Sequence, residues 1–343
     1  MQNPKRERID FIDFARGFSI LGVVFYHCSL GLVGEPWSKV MSYGGFGVHM
    51  FVILSGFGLS ISSRFTSVKN FYKRRFLKIL LPYYLFICLV FICNQFILVY
   101  PNDGLYAFFG HILFYKMFDE SIITSFGYYL WFLSMIIQLY LAYPVLFKVH
   151  KYWGNYRFGF LVFIISLSWL LLIAFLKLEN MRTFNSFSLT FLWEFGLGMI
   201  LGNLFKEKQF VFWKIKNYLM LLTSIILGGA IAAILSAKAG SFGSTLNIFP
   251  AALSFTALTI LVYSLSSNPM LSRLRASIIF IGNISYELYL IHGFLLTATL
   301  RFLFSSYNSS LIIGLNFLLV LPVAIVLSLM FSRLNAKLYR LFK

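Results

Sequence analysis

The stretch FGFLVFIISLSWLLLIAFLK, residues 158–177, carries a single charged residue, at its last position. A helix of about 20 mostly apolar residues is long enough to cross the hydrocarbon core of a bilayer, which is ~30 Å thick. The stretch before it, YYLWFLSMIIQLYLAYPVLFK at residues 128–148, has a similar length and character. The two stretches, separated by the more polar segment 149–157, predict two successive transmembrane helices.

The whole chain has the composition of a membrane protein. Of its 343 residues, 59% are apolar and 12% are charged, and its mean hydropathy is +0.82. Soluble domains are about 45–50% apolar and about 25% charged, and a chain of ~300 residues keeps roughly a quarter of its surface in water. This excludes a soluble enzyme, a disordered chain and a secreted disulfide scaffold. The predicted fold class is an all-α polytopic membrane protein, because helices satisfy their own backbone groups in lipid.

Long apolar stretches recur along the chain, with turn signals between them. We predict ten transmembrane spans, at about 11–33, 46–63, 77–99, 128–148, 158–177, 187–204, 217–236, 247–265, 279–299 and 311–331. The stretch 104–118 is apolar but short, and is predicted to be an interfacial or re-entrant segment. We expect one transmembrane domain over residues 1–343, with no appended soluble domain.

The basic residues are distributed unequally between the two sides of this arrangement. The chain has 29 Lys and Arg against 11 Asp and Glu, a net charge of +18. Alternating the ten spans places 22 of the basic residues on one side and 6 on the other, with Arg16 inside the first span. Because basic residues concentrate in cytoplasmic loops, both termini are predicted to be cytoplasmic. The charge therefore indicates membrane topology and contact with membrane lipid, rather than a nucleic-acid partner.

Neither a disulfide framework nor a metal site is expected. The three cysteines, Cys28, Cys88 and Cys93, all lie in apolar stretches, and no cluster of His, Cys, Asp and Glu has metal-ligand spacing. His111 and His150 lie in loops or at span ends and are predicted to be solvated.

Ionisable residues inside the predicted spans are the candidate functional residues, because each costs at least ~2.5–3.5 kcal/mol to insert. They are Asp13, Arg16, His27, His49, Glu194, Glu287 and His292. Arg16 and His27 are eleven residues apart, which places them about 20° from the same face of a helix and about 16 Å apart along its axis. Asp13 can pair with Arg16 on one face. Glu287 and His292 differ by about 140° around the helix, so they need not share a site.

Two further patterns have a local interpretation. The segment from Lys69 to Lys78 is the densest basic stretch of the chain. It suits either anionic lipid or a polyanionic ligand such as coenzyme A, and spacing alone does not decide between them. Ser55-Gly56 and the pair Gly198 and Gly202 are small residues within apolar stretches, which predicts close helix packing rather than a nucleophilic serine at position 55.

Six motifs occur in an order that resembles the acyltransferase 3 family of integral membrane acyltransferases, over nearly the whole length of the chain. In chain order they are Asp13 to Gly17 followed by His27, residues 47–57, Arg75 to Lys78 with Pro82-Tyr83-Tyr84, Trp131 to Pro144, Glu194 to Gly198, and Ser285 to His292. Each motif is a weak signal alone. The chain departs from the family pattern at four places, namely His49 in place of Asp, Met50, Lys78 in place of Arg, and Ile136 and Ile137 before Gln138. These departures leave the subgroup, and hence the acceptor, open.

The resemblance implies an O-acyltransferase in the cell (inner) membrane. Such an enzyme moves an acetyl or other short acyl group from cytoplasmic acyl-CoA to a hydroxyl of a cell-surface polysaccharide or of its lipid-linked precursor. Acetyl-CoA is then the donor substrate, and no permanently bound cofactor is expected. Two alternatives remain: a proton-coupled transporter, because buried Arg, His and Glu also suit that function, and an inactive relative that scaffolds glycan assembly.

The resemblance also implies roles for individual residues. His27 is expected to be the general base, since an imidazole with a pKa near 6.5 can activate a sugar hydroxyl at neutral pH. Arg16 is expected to bind donor phosphate or to stabilise negative charge on the thioester oxygen. The candidates for binding the coenzyme A phosphates are Arg74, Arg75 and Lys78. The candidate supporting residues are Asp13, Ser55, Glu194, Tyr286 and His292.

Overall fold

The computed structural model describes residues 9–29, 41–62, 67–302 and 310–342. Within these ranges the chain is helical and contains no strand. The helices are numbered here in chain order: α1 Asp10–Ser29, α2 Gly47–Ser60, α3 Val68–Arg75, α4 Leu81–Ile97, α5 Leu105–Ile112, α6 Trp131–Phe175, α7 Arg182–Asn185, α8 Leu192–Lys206, α9 Tyr218–Lys238, α10 Gly240–Leu246, α11 Ile248–Leu265, α12 Ser272–Asn283, α13 Ser285–Phe302 and α14 Ser310–Phe342.

The described residues include enough long apolar helices for a multi-pass membrane protein. Eight helical segments could each cross a bilayer, or nine if the bent pair Pro269–Asn283 and Ser285–Phe302 forms one span. This confirms the all-helical membrane fold, whereas the count of ten and the side of each terminus stay predictions. The end of the first predicted span, beyond residue 29, and the N-terminal basic residues lie outside the described residues.

Helix α6 contains both of the spans that were predicted at 128–148 and 158–177. Its 45 residues would extend about 68 Å as a straight helix, more than twice the thickness of the hydrocarbon core. The helix is interrupted at Gly154, which has φ 71° and ψ 178°. A positive φ is accessible to glycine without strain, so Gly154 separates the two apolar stretches where the sequence places a polar segment.

The predicted span 279–299 is not a straight helix, which corrects the sequence-based expectation. The chain bends by 80° between α12 and α13, at Ile284. Just before the bend, Gly282 packs against α1 so closely that a Cβ atom would overlap the carbonyl oxygen of Asp13, and Gly17 meets the Ile278 carbonyl in the same way. Hydropathy could not reveal the bend, because this close contact belongs to the tertiary structure.

The stretch 104–118 is too short to span a membrane, as predicted. It forms the eight-residue helix α5, about 12 Å long, followed by a 3-10 turn at Tyr115–Phe118.

Small residues bring α2 and α8 into backbone contact, which confirms the predicted close packing. A Cβ atom at Gly56 would overlap the Phe195 carbonyl oxygen, and one at Gly198 would overlap the Ile53 carbonyl oxygen. Gly202 lies against Ser60 and the Phe57 carbonyl, one turn further along. The helices therefore approach through their backbones, as small residues permit in membrane proteins.

We expect Gly56→Ala to destabilise the protein by about 1–3 kcal/mol, the usual cost of overpacking a well-packed contact. The added methyl group would force α2 and α8 apart. Gly58→Ala is a matched control in the same helix, because nothing lies within 4 Å of a Cβ atom at that position. Thermal unfolding of the detergent-solubilised variants tests this, and equal midpoints for the two variants would contradict it.

Candidate active site

A cavity of about 840 Å³ lies between α1, α2, the start of α6 and the bend at α12 and α13. This volume is typical of a small-molecule site. Seven of the candidate residues named from the sequence line it: Arg16, His27, Ser55, Arg75, Lys78, Tyr286 and Glu287. Arg16 and His27 thus share one cavity, as their helical spacing predicted.

His27 is held by a second histidine that comes from the other end of the chain. Its Nδ1 lies 2.9 Å from Nε2 of His292, and the two ring planes are nearly parallel, at 9° to each other. The Nδ1 of His292 lies 2.9 Å from the carbonyl oxygen of Leu288. A carbonyl oxygen can only accept, so His292 donates from Nδ1, and its Nε2 is free to accept from His27 Nδ1. This chain of hydrogen bonds leaves the Nε2 of neutral His27 unprotonated, as a general base requires.

Aromatic residues fix His292 in this position. The ring of Tyr129 lies 4.9 Å from the His292 ring, and its hydroxyl donates to the Leu290 carbonyl over 2.7 Å. The hydroxyl of Tyr289 donates to the Tyr129 carbonyl over 2.8 Å. The absence of a side chain at Gly293 allows this approach, because a Cβ atom there would overlap the Tyr129 ring. His292 is fully buried and does not line the cavity, whereas its partner His27 does.

Basic residues gather around another part of the cavity. Arg16 lies 4.0 Å from Asp13, and its side chain is 41% exposed. Arg75 lies over the rings of Phe71 and Tyr140, at 5.7 and 5.3 Å. Its Nε is buried and has no hydrogen-bond partner among the described residues. An unsatisfied buried donor is costly, which suits a site completed by an anionic ligand.

The helix turn that carries these basic residues is irregular. Residues Phe76–Leu80 form a π-helical turn between α3 and α4. Arg75 precedes this turn and Lys78 lies within it, and both side chains line the cavity. Single π turns in helices are frequent at functional sites. Arg74 is not in the cavity wall, so the structure separates it from the other two candidates.

Two of the supporting candidates lie in the cavity wall with their hydroxyls bonded to backbone. The Ser55 hydroxyl donates to the Phe51 carbonyl over 2.8 Å, which fits a helix-packing residue rather than a nucleophile. The Tyr286 hydroxyl donates to the Ile79 carbonyl over 2.6 Å and so connects α13 to the π turn. Asp13 is not in the wall, although it lies beside Arg16.

Glu194 does not line the large cavity. It is fully buried, and its Oε1 lies 2.8 Å from Nδ1 of His49, which is also buried. His49, which departs from the family pattern, therefore contacts the glutamate of the Glu194 to Gly198 motif. An Asp at position 49 would face Glu194 with a second carboxylate, whereas His49 offers a donor. The pair connects α2 to α8 beside their glycine contact.

The family model described as an acyltransferase domain matches residues 9–333. The chain belongs to the acyltransferase 3 family. No curated protein and no solved structure matches the chain. Family membership and the apolar helices together make the protein a multi-pass membrane acyltransferase. The match covers both His27 and His292, which lie in the first and last motifs that suggested the resemblance.

Sequence reasoning missed one charged residue that lines the large cavity. Arg182 lines the cavity, and its charge is near enough to act on Tyr26, His27 and Tyr128. The sequence placed Arg182 only among the basic residues of a loop. It precedes the apolar stretch of its span, so no periodicity connected it with His27.

The expectation that His111 and His150 are solvated is wrong. His111 is fully buried, with Nδ1 2.6 Å from the Tyr83 hydroxyl and Nε2 2.9 Å from the Ser125 hydroxyl. His150 is 7% exposed and stacks on the Phe158 ring at 4.6 Å. Both residues were assigned to loops or span ends, whereas His111 lies in α5 and His150 lies within α6, and each packs against neighbouring side chains. Among the described residues, no three His, Cys, Asp or Glu side chains could together hold a metal ion.

Lys116 lies beside His111 in the segment between α4 and α6, outside the span-length helices. Its side chain is fully buried, with Nζ 3.4 Å from His111 Nε2. Burial lowers the pKa of Lys116 to about 7, although Asp103 acts in the opposite direction. The folded protein thus releases a proton that the unfolded chain retains up to a pH of about 10.4.

We expect this lysine to make the protein more stable as pH rises from about 7 towards 10. In that range the unfolded state binds the extra proton, so the free energy of unfolding increases with pH. Lys116→Met removes the effect. Its unfolding midpoint should exceed that of the wild type at pH 6.5, and the difference should shrink at pH 9. A constant difference across this range would contradict the assignment.

Proposed function

We propose that this acyltransferase moves an acetyl or other short acyl group from cytoplasmic acyl-CoA to a hydroxyl of a cell-surface polysaccharide or its lipid-linked precursor. The observation that carries the proposal is the pair His27 and His292, which leaves Nε2 of His27 unprotonated in the wall of a large cavity. The same cavity is lined by Arg75, whose buried Nε has no hydrogen-bond partner among the described residues. A base and an anion site in one cavity are what transfer from an acyl-CoA needs.

In the proposed reaction, Nε2 of His27 accepts the proton of the acceptor hydroxyl as its oxygen attacks the thioester carbonyl. The C–O bond forms and the C–S bond breaks. The leaving thiolate of coenzyme A then takes up the proton from the His27 imidazolium, which restores the neutral base. Arg16 would stabilise the negative charge that develops on the carbonyl oxygen, or would bind donor phosphate. Arg75 and Lys78 would hold the phosphates of the donor.

The test is transfer of label from acetyl-CoA in membranes that carry the protein in its native glycan background. Alkali-labile label in glycan should appear with the wild type and not with membranes that lack the protein. Arg75→Gln should raise the KM for acetyl-CoA by about 10–100-fold, since a hydrogen bond to a charged group contributes about 1.5–3 kcal/mol. Lys73→Gln is the matched control, because Lys73 is exposed on the same helix and does not line the cavity.

The results separate the proposal from its alternatives. If labelling of glycan requires the protein but is unchanged in Arg75→Gln, Arg75 does not bind the donor, and the donor site lies elsewhere in the protein. No label from acetyl-CoA or from longer acyl-CoA donors would contradict acyl transfer to glycan, and would leave transport or scaffolding as the function to test.

A further inference from the structure

A second, smaller cavity adjoins the large one. It has a volume of about 220 Å³ and is lined by the loop after α6, by α7 and by α10. Five residues line both cavities: Gly45, Phe46, Val48, Trp131 and Arg182. The wall between the cavities is therefore a single layer of side chains. The loop and helices of the small cavity are on the side that the charge distribution predicts to be extracytoplasmic, opposite Arg75 and Lys78.

Arg182 is the cation in this shared wall, and its backbone is anchored. The carboxylate of Glu120 accepts from the backbone N–H groups of Arg182 and Thr183, each over 2.8 Å. Burial acts to raise the pKa of Glu120, but these hydrogen bonds outweigh it and the pKa is lowered. Glu120 therefore stays ionised and fixes the main chain of α7 at the junction of the two cavities.

The guanidinium of Arg182 contacts an aromatic ring, and the Glu120 carboxylate acts on its charge without forming a salt bridge with it. It lies over Trp131, with its central carbon 5.4 Å from the ring centroid, and it is only partly exposed. Among the described residues, no salt bridge or side-chain hydrogen bond of this guanidinium occurs. A charge inside a membrane domain is expensive unless it is paired. Here the side that faces the cavities is available to an anionic group of a ligand.

The rest of the small cavity offers hydrogen-bonding groups of the kind that bind sugars. Asn185, Asn247 and Ser244 are in its wall. Glu179 is also in this wall. Its Oε1 accepts a hydrogen bond from the Ser241 hydroxyl, and its buried Oε2 has no hydrogen-bond partner in the described part of the chain. An ionised carboxylate only accepts, so this oxygen suits a hydroxyl of a ligand. The small cavity thus combines an acceptor for hydroxyls with a cation at its inner end.

We infer that Arg182 is a specificity-determining residue that binds an anionic group of the acceptor, so that the acceptor hydroxyl lies beside His27. The anionic group is a carboxylate of an acidic sugar or a phosphate of a glycan precursor, and either would pair with the guanidinium fork. This inference rests on the proposed function, because it assigns the acceptor class for the same reaction. It predicts that acidic acceptors are favoured over neutral ones of equal size.

The first measurement detects binding without catalysis. Purified protein is unfolded thermally in sodium D-glucuronate, in sodium phosphate and in D-glucose, with ionic strength matched by sodium chloride. We expect one of the two anions to raise the midpoint of the wild type, since a ligand that binds the folded state stabilises it. Arg182→Gln should lose that shift. Lys177→Gln is the control, as Lys177 is exposed in the same loop and lines neither cavity.

The two anions distinguish the two candidate origins of the anionic group, a sugar carboxylate and a phosphate. A shift with glucuronate that needs Arg182 indicates an acidic sugar, and one with phosphate indicates a phosphorylated precursor. A phosphate shift that persists in Arg182→Gln belongs to the donor site at Arg75 and does not support the inference. If neither anion stabilises the wild type more than Arg182→Gln, the inference is wrong.

The second measurement follows acetyl transfer from acetyl-CoA to p-nitrophenyl β-D-glucuronide and to the matching glucoside. Loss of one charge-assisted hydrogen bond changes a binding constant by about 10-fold or more. We expect the wild type to favour the glucuronide by that factor in kcat/KM, and Arg182→Gln to lose the preference. An equal loss with both acceptors would instead make Arg182 part of the chemistry. An Arg182-dependent anion shift in a protein that transfers no acyl group from acetyl-CoA or from longer acyl-CoA donors, to these acceptors or to glycan, would retain the binding site while overturning the proposed function.

Discussion

Replacing His27 with glutamine is expected to lower kcat for acyl transfer by about 10²–10⁴-fold, the usual contribution of a general base. Glutamine can still donate a hydrogen bond to His292, but it cannot accept a proton from a hydroxyl at neutral pH. The KM for acetyl-CoA should change little, because the basic residues that would hold the donor are untouched. Transfer of labelled acetyl groups by equal amounts of folded protein measures both quantities.

The hydrogen bond between the two histidines predicts that substitutions of His292 also lower kcat. His292→Leu removes the acceptor of His27 Nδ1–H, so the tautomer and ring orientation of His27 are no longer fixed. We expect a smaller loss of kcat than in His27→Gln, with partial recovery in His292→Gln, whose side-chain oxygen can accept. The double variant of His27→Gln and His292→Leu should be no slower than His27→Gln alone, since the two residues act as a unit.

His150→Gln is the matched control for a histidine change, because His150 lies away from the cavity and contacts Asn155. Its kcat should stay close to that of the wild type. Activity that survives in His27→Gln would show that another group is the base. Full additivity of the two losses in the double variant would contradict the pairing of His27 with His292.

Glu194→Ala is expected to destabilise the protein by about 1–3 kcal/mol, the cost of leaving a buried polar group without its hydrogen-bond partner. His49 would be left at 7% exposure, with a buried Nδ1 and no acceptor for it. Because α2 and α8 touch through glycines beside this pair, neither helix can move to admit water without losing that contact. A large drop in the thermal unfolding midpoint in detergent is the expected result.

A double-mutant cycle identifies the pair as the cause. When His49→Leu is combined with Glu194→Leu, both polar groups are removed, and the loss should be smaller than the sum of the two single losses. Glu207→Ala is the control, since Glu207 is exposed at the end of the same helix and should stay within about 0.5 kcal/mol of the wild type. Additive losses at positions 49 and 194 would show that the two side chains do not interact in the folded protein.

Much of the candidate site could be predicted from the sequence because the signals are local. Arg16 and His27 lie on one helix, so a periodicity of 100° per residue was enough to place both in one cavity. Glycine spacing in α2 and α8 likewise predicted their close contact, since small residues determine how closely membrane helices can approach. The 80° bend before α13 was missed, because it accompanies a close contact of Gly282 with α1 that hydropathy does not report.

The sequence by itself determined that this is a helical membrane protein of the acyltransferase 3 family, with His27 facing the same way as Arg16. Composition and helical periodicity are enough for this, because each can be evaluated from a single stretch of sequence without knowing what that stretch packs against. Only the tertiary structure decided that His292 orients His27, that Glu194 pairs with His49, and that Arg182 lies between two cavities. The two pairs join residues 265 and 145 positions apart along the chain, and all three arrangements depend on how closely the helices pack and where they bend.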